Sequence, residues 1–303
     1  MGGNATKTNI SKLSEKKYQK IKSILKTIYN TDIPRKIKKD FHGDIDVVGV
    51  LEPYQFEVKL IQKGFRILEK VKNDNITSYA VEFKFGFIFK KDIIFQLDYK
   101  QVNPDDFDFT YNIESYELNV FLGKILNEYD LKLSDTGLYL RLFFKNGKVV
   151  KRSGAVAKRE FLITKDFNEV LKLLDLPYLG TLKTKKELYN YILSSKYFHK
   201  DIFNNIDTDR VNDFKNSKEF KKHKDFENLE SKKGDFYVKN NYVYIKRVEM
   251  VSDYIDSYYK GTRNIKKFLN LEEVPKEFKN FLKDLSISSI KDLETAYNRF
   301  LNI

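Results

Sequence analysis

The chain has no cysteine, only three histidines and no long apolar run. The missing cysteine excludes disulfides, thiolate zinc sites and a cysteine nucleophile. His42, His199 and His223 are too few and too scattered to build a histidine metal cluster. No stretch approaches the roughly 20 apolar residues of a membrane span, and no secretory signal opens the chain. The expected protein is therefore soluble and cytoplasmic, with no membrane partner. The opening Met-Gly-Gly-Asn-Ala-Thr fits the loose pattern for N-myristoylation at Gly2, but so short a pattern recurs by chance and carries no expectation.

What the chain has in excess is positive charge. It carries 56 basic against 43 acidic residues, a formal net charge of +13. That excess favours a polyanionic partner, nucleic acid first. A lysine-rich solvated surface is the competing explanation and weighs nearly as much. With 25 Phe and 20 Tyr among its 303 residues, the chain has ample material for a packed core. Its length allows one large domain or two ordinary ones.

The stretch most informative about chemistry is Gly43-Asp44-Ile45-Asp46-Val47-Val48-Gly49. Side chains alternate across a strand, so Asp44 and Asp46 share one face while Ile45 and Val47 take the other. Two like charges this close are unfavourable unless water or a cation lies between them. A third carboxylate, Asp98, sits in the strand-like run Ile93-Ile94-Phe95-Gln96-Leu97-Asp98-Tyr99. Asp is depleted in strands, and Mg²⁺ binds through one or two carboxylates plus substrate phosphates. Asp44, Asp46 and Asp98 are thus the candidate metal ligands. Taken singly, each acid also fits a solvated strand end or the outer face of a hairpin, which Gln96 would share with Asp98.

Along the chain, apolar spacing predicts helices over residues 11–29 and 61–71, then a hairpin from Tyr79 that brings back the Asp98 strand. A helix is expected over 115–128 and two short strands over 138–150. From Thr164 onward the pattern is mainly helical, with a very polar, candidate mobile segment over 207–234 and a last helix from Pro275. The acids Asp105, Asp106 and Asp108 read as a solvated loop, and the Lys221–Lys224 and Lys266-Lys267 runs as solvated faces. The expected fold class is α+β, a mixed sheet with helices followed by a mainly helical part. The expected division is residues 1–155 and 156–303.

Asp-x-Asp on one strand with a third Asp on a neighbouring strand resembles the DNA-polymerase-β-like nucleotidyltransferase superfamily. More narrowly, the chain resembles predicted nucleotidyltransferases of phages and some fungi. The matching pieces are Gly43–Val47, Phe95–Asp98, Leu118-Asn119 with Leu122-Gly123-Lys124, Leu131-Lys132-Leu133 and Gly137-Leu138-Tyr139. They continue with Leu162–Asp166, Leu174-Asp175-Leu176 and Ile192–Phe198, covering roughly residues 40–205. The resemblance implies a nucleotidyltransferase core in residues 1–155. It also implies that Asp44, Asp46 and Asp98 hold two Mg²⁺ (or Mn²⁺) ions and that an NTP is the substrate.

One departure stands out. The superfamily usually places a Gly-Gly or Gly-Ser turn about ten residues before its carboxylate pair, where backbone N–H groups hold the triphosphate. Here the stretch is Thr31-Asp32-Ile33-Pro34-Arg35-Lys36. Gly43 and the side chains of Lys36, Lys38 and Lys39 are the candidates to take its place. The expected acceptor is nucleic acid, RNA over DNA, with a tRNA 3′ end as one form. Interleaved tyrosines (Tyr237, Tyr242, Tyr244, Tyr254, Tyr258, Tyr259) offer stacking surfaces for bases or, more simply, core aromatics. Two alternatives stay open: nucleotidylation of a protein or small molecule, and a non-catalytic nucleic-acid-binding protein that keeps the fold.

Overall fold

The computed structural model describes residues 5–258 apart from 85–91, 146–147, 151–154 and 156. The Gly2 pattern, the Lys266-Lys267 pair, the helix expected from Pro275, Tyr259 and the side chain of Tyr258 lie outside the described residues. So do residues 85–91, the end of the first expected hairpin strand and the start of its turn, while Tyr79 to residue 84 and the Asp98 strand are described.

The fold is α+β. Strands β2 (Thr31–Asp32), β4 (Asp44–Gly49), β5 (Phe65–Asn73), β6 (Ile76–Phe83) and β7 (Ile93–Gln101) make a five-stranded sheet in the order β2-β4-β7-β6-β5. The sheet is mixed, because β4 and β7 run parallel and the other neighbours antiparallel. A two-stranded ribbon joins β1 (Leu13–Ser14) to β3 (Phe41–His42). Helices α1 (Glu15–Leu25) and α2 (Pro53–Gln62) bury Tyr18, Ile21, Leu25, Phe56 and Leu60 in one apolar cluster with Ile45, Val47, Leu97 and Tyr99. Phe56 stacks on Tyr99 at 4.0 Å between ring centroids. The odd-numbered face of β4 is thereby sealed, and Asp44 and Asp46 are left on the other.

A second apolar cluster takes over at Phe109 and runs to Tyr254. It is built on α3 (Phe107–Glu114), α4 (Leu118–Asn127) and a small sheet of β8 (Leu131–Ser134), β9 (Gly137–Lys145), β10 (Lys148–Val149) and β11 (Ala157–Thr164). The helices that follow are α5 (Phe167–Leu173), α6 (Lys185–Leu193), α7 (Asp209–Asn216), α8 (Lys218–Lys222), α9 (Leu229–Lys239) and α10 (Asn241–Tyr258). β9 pairs with β11 from Leu138 to Phe144. The small sheet therefore spans the expected division at 155–156, and the change of apolar cluster comes earlier, between Tyr99 and Phe109.

Four expectations are corrected. Residues 61–71 are not a helix: α2 starts at Pro53 behind a Glu52 capping box, Gly64 at φ +85° ends it, and β5 follows. The 115–128 helix is interrupted, since Tyr116 and Glu117 both take left-handed backbone angles (φ 57° and 61°) between α3 and α4. The polar segment 207–234 carries α7, α8 and the start of α9. Val211 and Phe214 are buried there, and Ser217 and Asn228 cap α8 and α9 by accepting from Phe220 and Ser231 N–H. Asp105, Asp106 and Asp108 form no loop: a 3₁₀ turn and the start of α3 hold them, and Asp106 is buried against Lys165 at 2.6 Å. Strands β8, too short at four residues to stand out despite its alternation, and β11, without clear alternation, lie outside the expected pattern. The hairpin strands, the two strands after residue 137 and the helical character after Thr164 are found as expected.

Candidate metal centre

The register of β4 on β7 sets Asp44 opposite Gln96 and Asp46 opposite Asp98. Parallel neighbours at equal pleat positions point to the same side. The three carboxylates consequently meet, with one oxygen from each lying within 4.8 Å of the others. All are half-buried. Burial first, then Asp46 and Asp98, push the Asp44 carboxyl up to about 6. Asp98 is raised as well, mainly by burial, with a hydrogen bond from Ser78 pulling the other way and Asp46 adding to the rise. Ser78 reaches it because β6 places Ser78 directly opposite Asp98. Gln96 Nε2 donates to both Asp98 oxygens, at 2.9 and 3.0 Å.

Three hard oxygen donors on one rigid surface suit a small divalent cation such as Mg²⁺ or Mn²⁺. A buried polar atom beside them fits the same view. Tyr18 Oη is buried without a hydrogen-bond partner, and its ionisation is opposed first by burial and then by Asp46 and Asp44 nearby. The residues present can hold a divalent ion.

One cation of the chain already leans on this surface. Lys36 Nζ lies 2.6 Å from Asp46 Oδ2 and 3.8 Å from Glu117 Oε1. Burial disfavours its charge, but Asp46 and Glu117 outweigh that and hold the ammonium above the usual lysine range. Glu117 also takes Arg210 Nε at 2.8 Å and Lys39 Nζ at 3.8 Å. The left-handed pair Tyr116-Glu117 turns that carboxylate toward Lys36. It is pinned there by Tyr116 N–H donating to Arg35 O at 2.6 Å and Arg35 N–H donating to Ser115 Oγ at 3.1 Å.

Of the candidate triphosphate residues, Lys36 comes to the carboxylates, Lys39 reaches only Glu117, and Lys38 is exposed. Gly43 sits at the bend before Asp44. The stretch that replaces the glycine turn is no cradle: Thr31 and Asp32 pair with Gly49 and Val48 as an edge strand. Tyr244 and Tyr254 are core residues and Tyr237 donates to Tyr129 O and Asp130, which leaves Tyr242 as the exposed one among these four. Sequence reasoning missed Tyr18, Ser78, Glu117 and Arg210. Ser78 had a readable signal, an in-register partner across the hairpin, whereas Glu117 and Arg210 had none.

No family model and no curated protein matches the chain. Among solved structures, the chain is similar to the crystal structure of Leishmania infantum polymerase beta in a ternary P/T complex. The TM-score is 0.40 at 12% identity, over 56% of this chain and 75% of that one. An overlap this partial carries no functional argument. Among the described residues, no helix is long and apolar enough to cross a membrane.

Proposed function

We propose that the protein is a metal-dependent nucleotidyltransferase that moves NMP from an NTP to an acceptor hydroxyl and releases pyrophosphate. The observation that carries this is the meeting of Asp44, Asp46 and Asp98 within 4.8 Å on two parallel strands. Divalent ions in such a site supply charge for both the attacking and the leaving oxygen of an in-line displacement. Asp44 and Asp46, rigid on β4, hold that charge in place. Asp98, oriented by Gln96 and Ser78, would take the proton of the acceptor hydroxyl. Lys36, beside Asp46, would bind the β- and γ-phosphates that leave as pyrophosphate. In this reading the chemistry belongs to residues 1–155, which hold all of these side chains, and acceptor handling to residues from 156 on.

The acceptor is proposed to be RNA, with a tRNA 3′ end as one form, and the site of action the cytoplasm. The formal charge of +13 favours it over a small molecule. The test is incubation with each labelled NTP and dNTP, Mg²⁺ or Mn²⁺, and pools of tRNA, other RNA, single-stranded DNA and protein. Label should enter RNA and be lost in Asp44→Asn/Asp46→Asn. Label in protein would move the acceptor to the second class, and no label in any pool would remove the transferase assignment.

A further inference from the structure

The basic run at Lys221–Lys224, read from sequence as a solvated face, adjoins a cavity away from the carboxylates. Lys186, Asn190, Leu193 and Ser194 line one wall, at the i, i+4, i+7 and i+8 positions of α6 and its C-cap. Lys218, Glu219, Lys222 and His223 line the other, from α8. The space measures about 510 Å³, within the range of ligand clefts. Lys186, Lys218 and Lys222 are exposed and make no ion pair among the described residues. Neighbouring Lys185 and Lys196 are held by Asp213 at 2.7 Å and Asp235 at 3.0 Å. Lys218 and Lys222 are a like-charged i,i+4 pair in a short helix, an arrangement that costs stability unless an anion sits between them. Glu219 is the one acid on the walls.

We propose that this cavity seats the phosphate backbone of a single-stranded nucleic acid, a role that deepens the transferase assignment and rests on it for naming the strand as the acceptor. Three lysines supply mobile point charges for phosphates, and the Asn190 amide and Ser194 hydroxyl add hydrogen-bonding groups between them. Leu193 leaves an apolar patch for a sugar or base edge. The walls are rich in lysine, which protein interfaces avoid. An acidic protein is therefore the weaker occupant. A recess between two helices also fits a flexible strand better than the convex surface of a duplex. The seat is connected to the carboxylates through α7: Arg210 at its start holds Glu117, and α8 begins two residues after its end.

The test is fluorescence anisotropy of the full chain with a labelled oligoribonucleotide between about 50 and 200 mM salt. The variant is Lys186→Ala/Lys218→Ala/Lys222→Ala, whose exposed, unpaired side chains leave folding intact, as its melting curve should show. The control, Lys59→Ala/Lys63→Ala/Lys72→Ala, removes the same charge from exposed positions on α2, its C-cap and β5. The cavity variant should bind about tenfold or more weakly at low salt, and its log K against log salt should flatten by about 2, as three lost phosphate contacts require. The control should change little. Equal losses in both variants, unchanged binding in the cavity variant, or displacement of RNA by polyglutamate at equal charge would each overturn the proposal. The transferase assignment fails separately. If Asp44→Asn/Asp46→Asn alters no chemistry while the cavity variant loses RNA, the seat stands as a binding site without it.

Discussion

Lys36 and Asp46 are joined at 2.6 Å on a surface that two further carboxylates share. The ammonium occupies an oxygen that a divalent ion would also use, so Lys36 acts as a resident counter-cation of the metal-free site. Glu117, 3.8 Å away, is the second partner that can receive it. Lys36→Ala should therefore lower the metal-free stability by about 1–2 kcal/mol, a charge-assisted bond discounted because the Asp46 side chain is 37% exposed. The same variant should bind Mn²⁺ several-fold more tightly, since the competitor is gone. Urea unfolding in EDTA checks the first part and calorimetric titration the second, and weaker Mn²⁺ binding would refute the competition.

Asp44 gives a stability change of unusual sign. Its carboxyl is pushed from an ordinary value of 3.8 up to about 6, so the folded chain holds this proton more tightly than the unfolded one. Between those values its contribution makes the metal-free protein less stable as pH rises, the reverse of a salt-bridged Asp. Asp44→Asn removes that penalty. The variant in EDTA should be more stable than the parent by about 1–3 kcal/mol near pH 7.5, with the difference closing below pH 6 and gone near pH 4. Urea titrations at three pH values measure it. A variant less stable than the parent at about pH 7.5 would contradict the electrostatic account.

Divalent ions should stabilise the protein through the same three residues. An ion that binds only the folded state adds RT ln(1 + [L]/Kd), about 2.7 kcal/mol at a hundredfold excess over Kd. Thermal shifts with Mg²⁺ and Mn²⁺ should be large in the parent and absent in Asp44→Asn/Asp46→Asn. A shift of equal size in the double variant would place the ion elsewhere.

The carboxylate site was legible because a strand's period of two is fixed by backbone geometry: Asp44 with Asp46, and Gln96 with Asp98, had to share faces. Only the β4–β7 register, which joins the two strands, needed the structure. Residues 61–71 misled because Ile61, Phe65 and Leu68 satisfy a helical spacing while Phe65, Ile67 and Val71 satisfy a strand. Gly64, left-handed at φ +85°, decides between them. Glu117 was illegible because its position depends on two consecutive left-handed residues that no glycine announces. Arg210 was illegible for another reason: it reaches the site only through the packing of Val211 and Phe214 into the second apolar cluster.

The last expectation concerns Gly49, which ends the carboxylate strand. A Cβ there would lie 2.7 Å from the Tyr99 ring and hydroxyl and 2.8 Å from Thr31 Cγ2. Neither neighbour can yield cheaply. Tyr99 is stacked on Phe56 and donates to Leu51 O at 2.7 Å, and Thr31 belongs to the edge strand paired with Gly49 itself. Gly49→Ala should destabilise the chain by about 1–3 kcal/mol, as overpacking of a well-filled site does. Because Tyr99 follows Asp98 on β7, the displaced ring should also shift Asp98 away from Asp46 and weaken Mn²⁺ binding. Gly123→Ala is the contrast, since its added Cβ would meet only Leu133 Cβ at 3.9 Å and should leave Mn²⁺ affinity unchanged. Equal Mn²⁺ affinity in the two variants would show that the close approach at Gly49 does not set the carboxylate geometry.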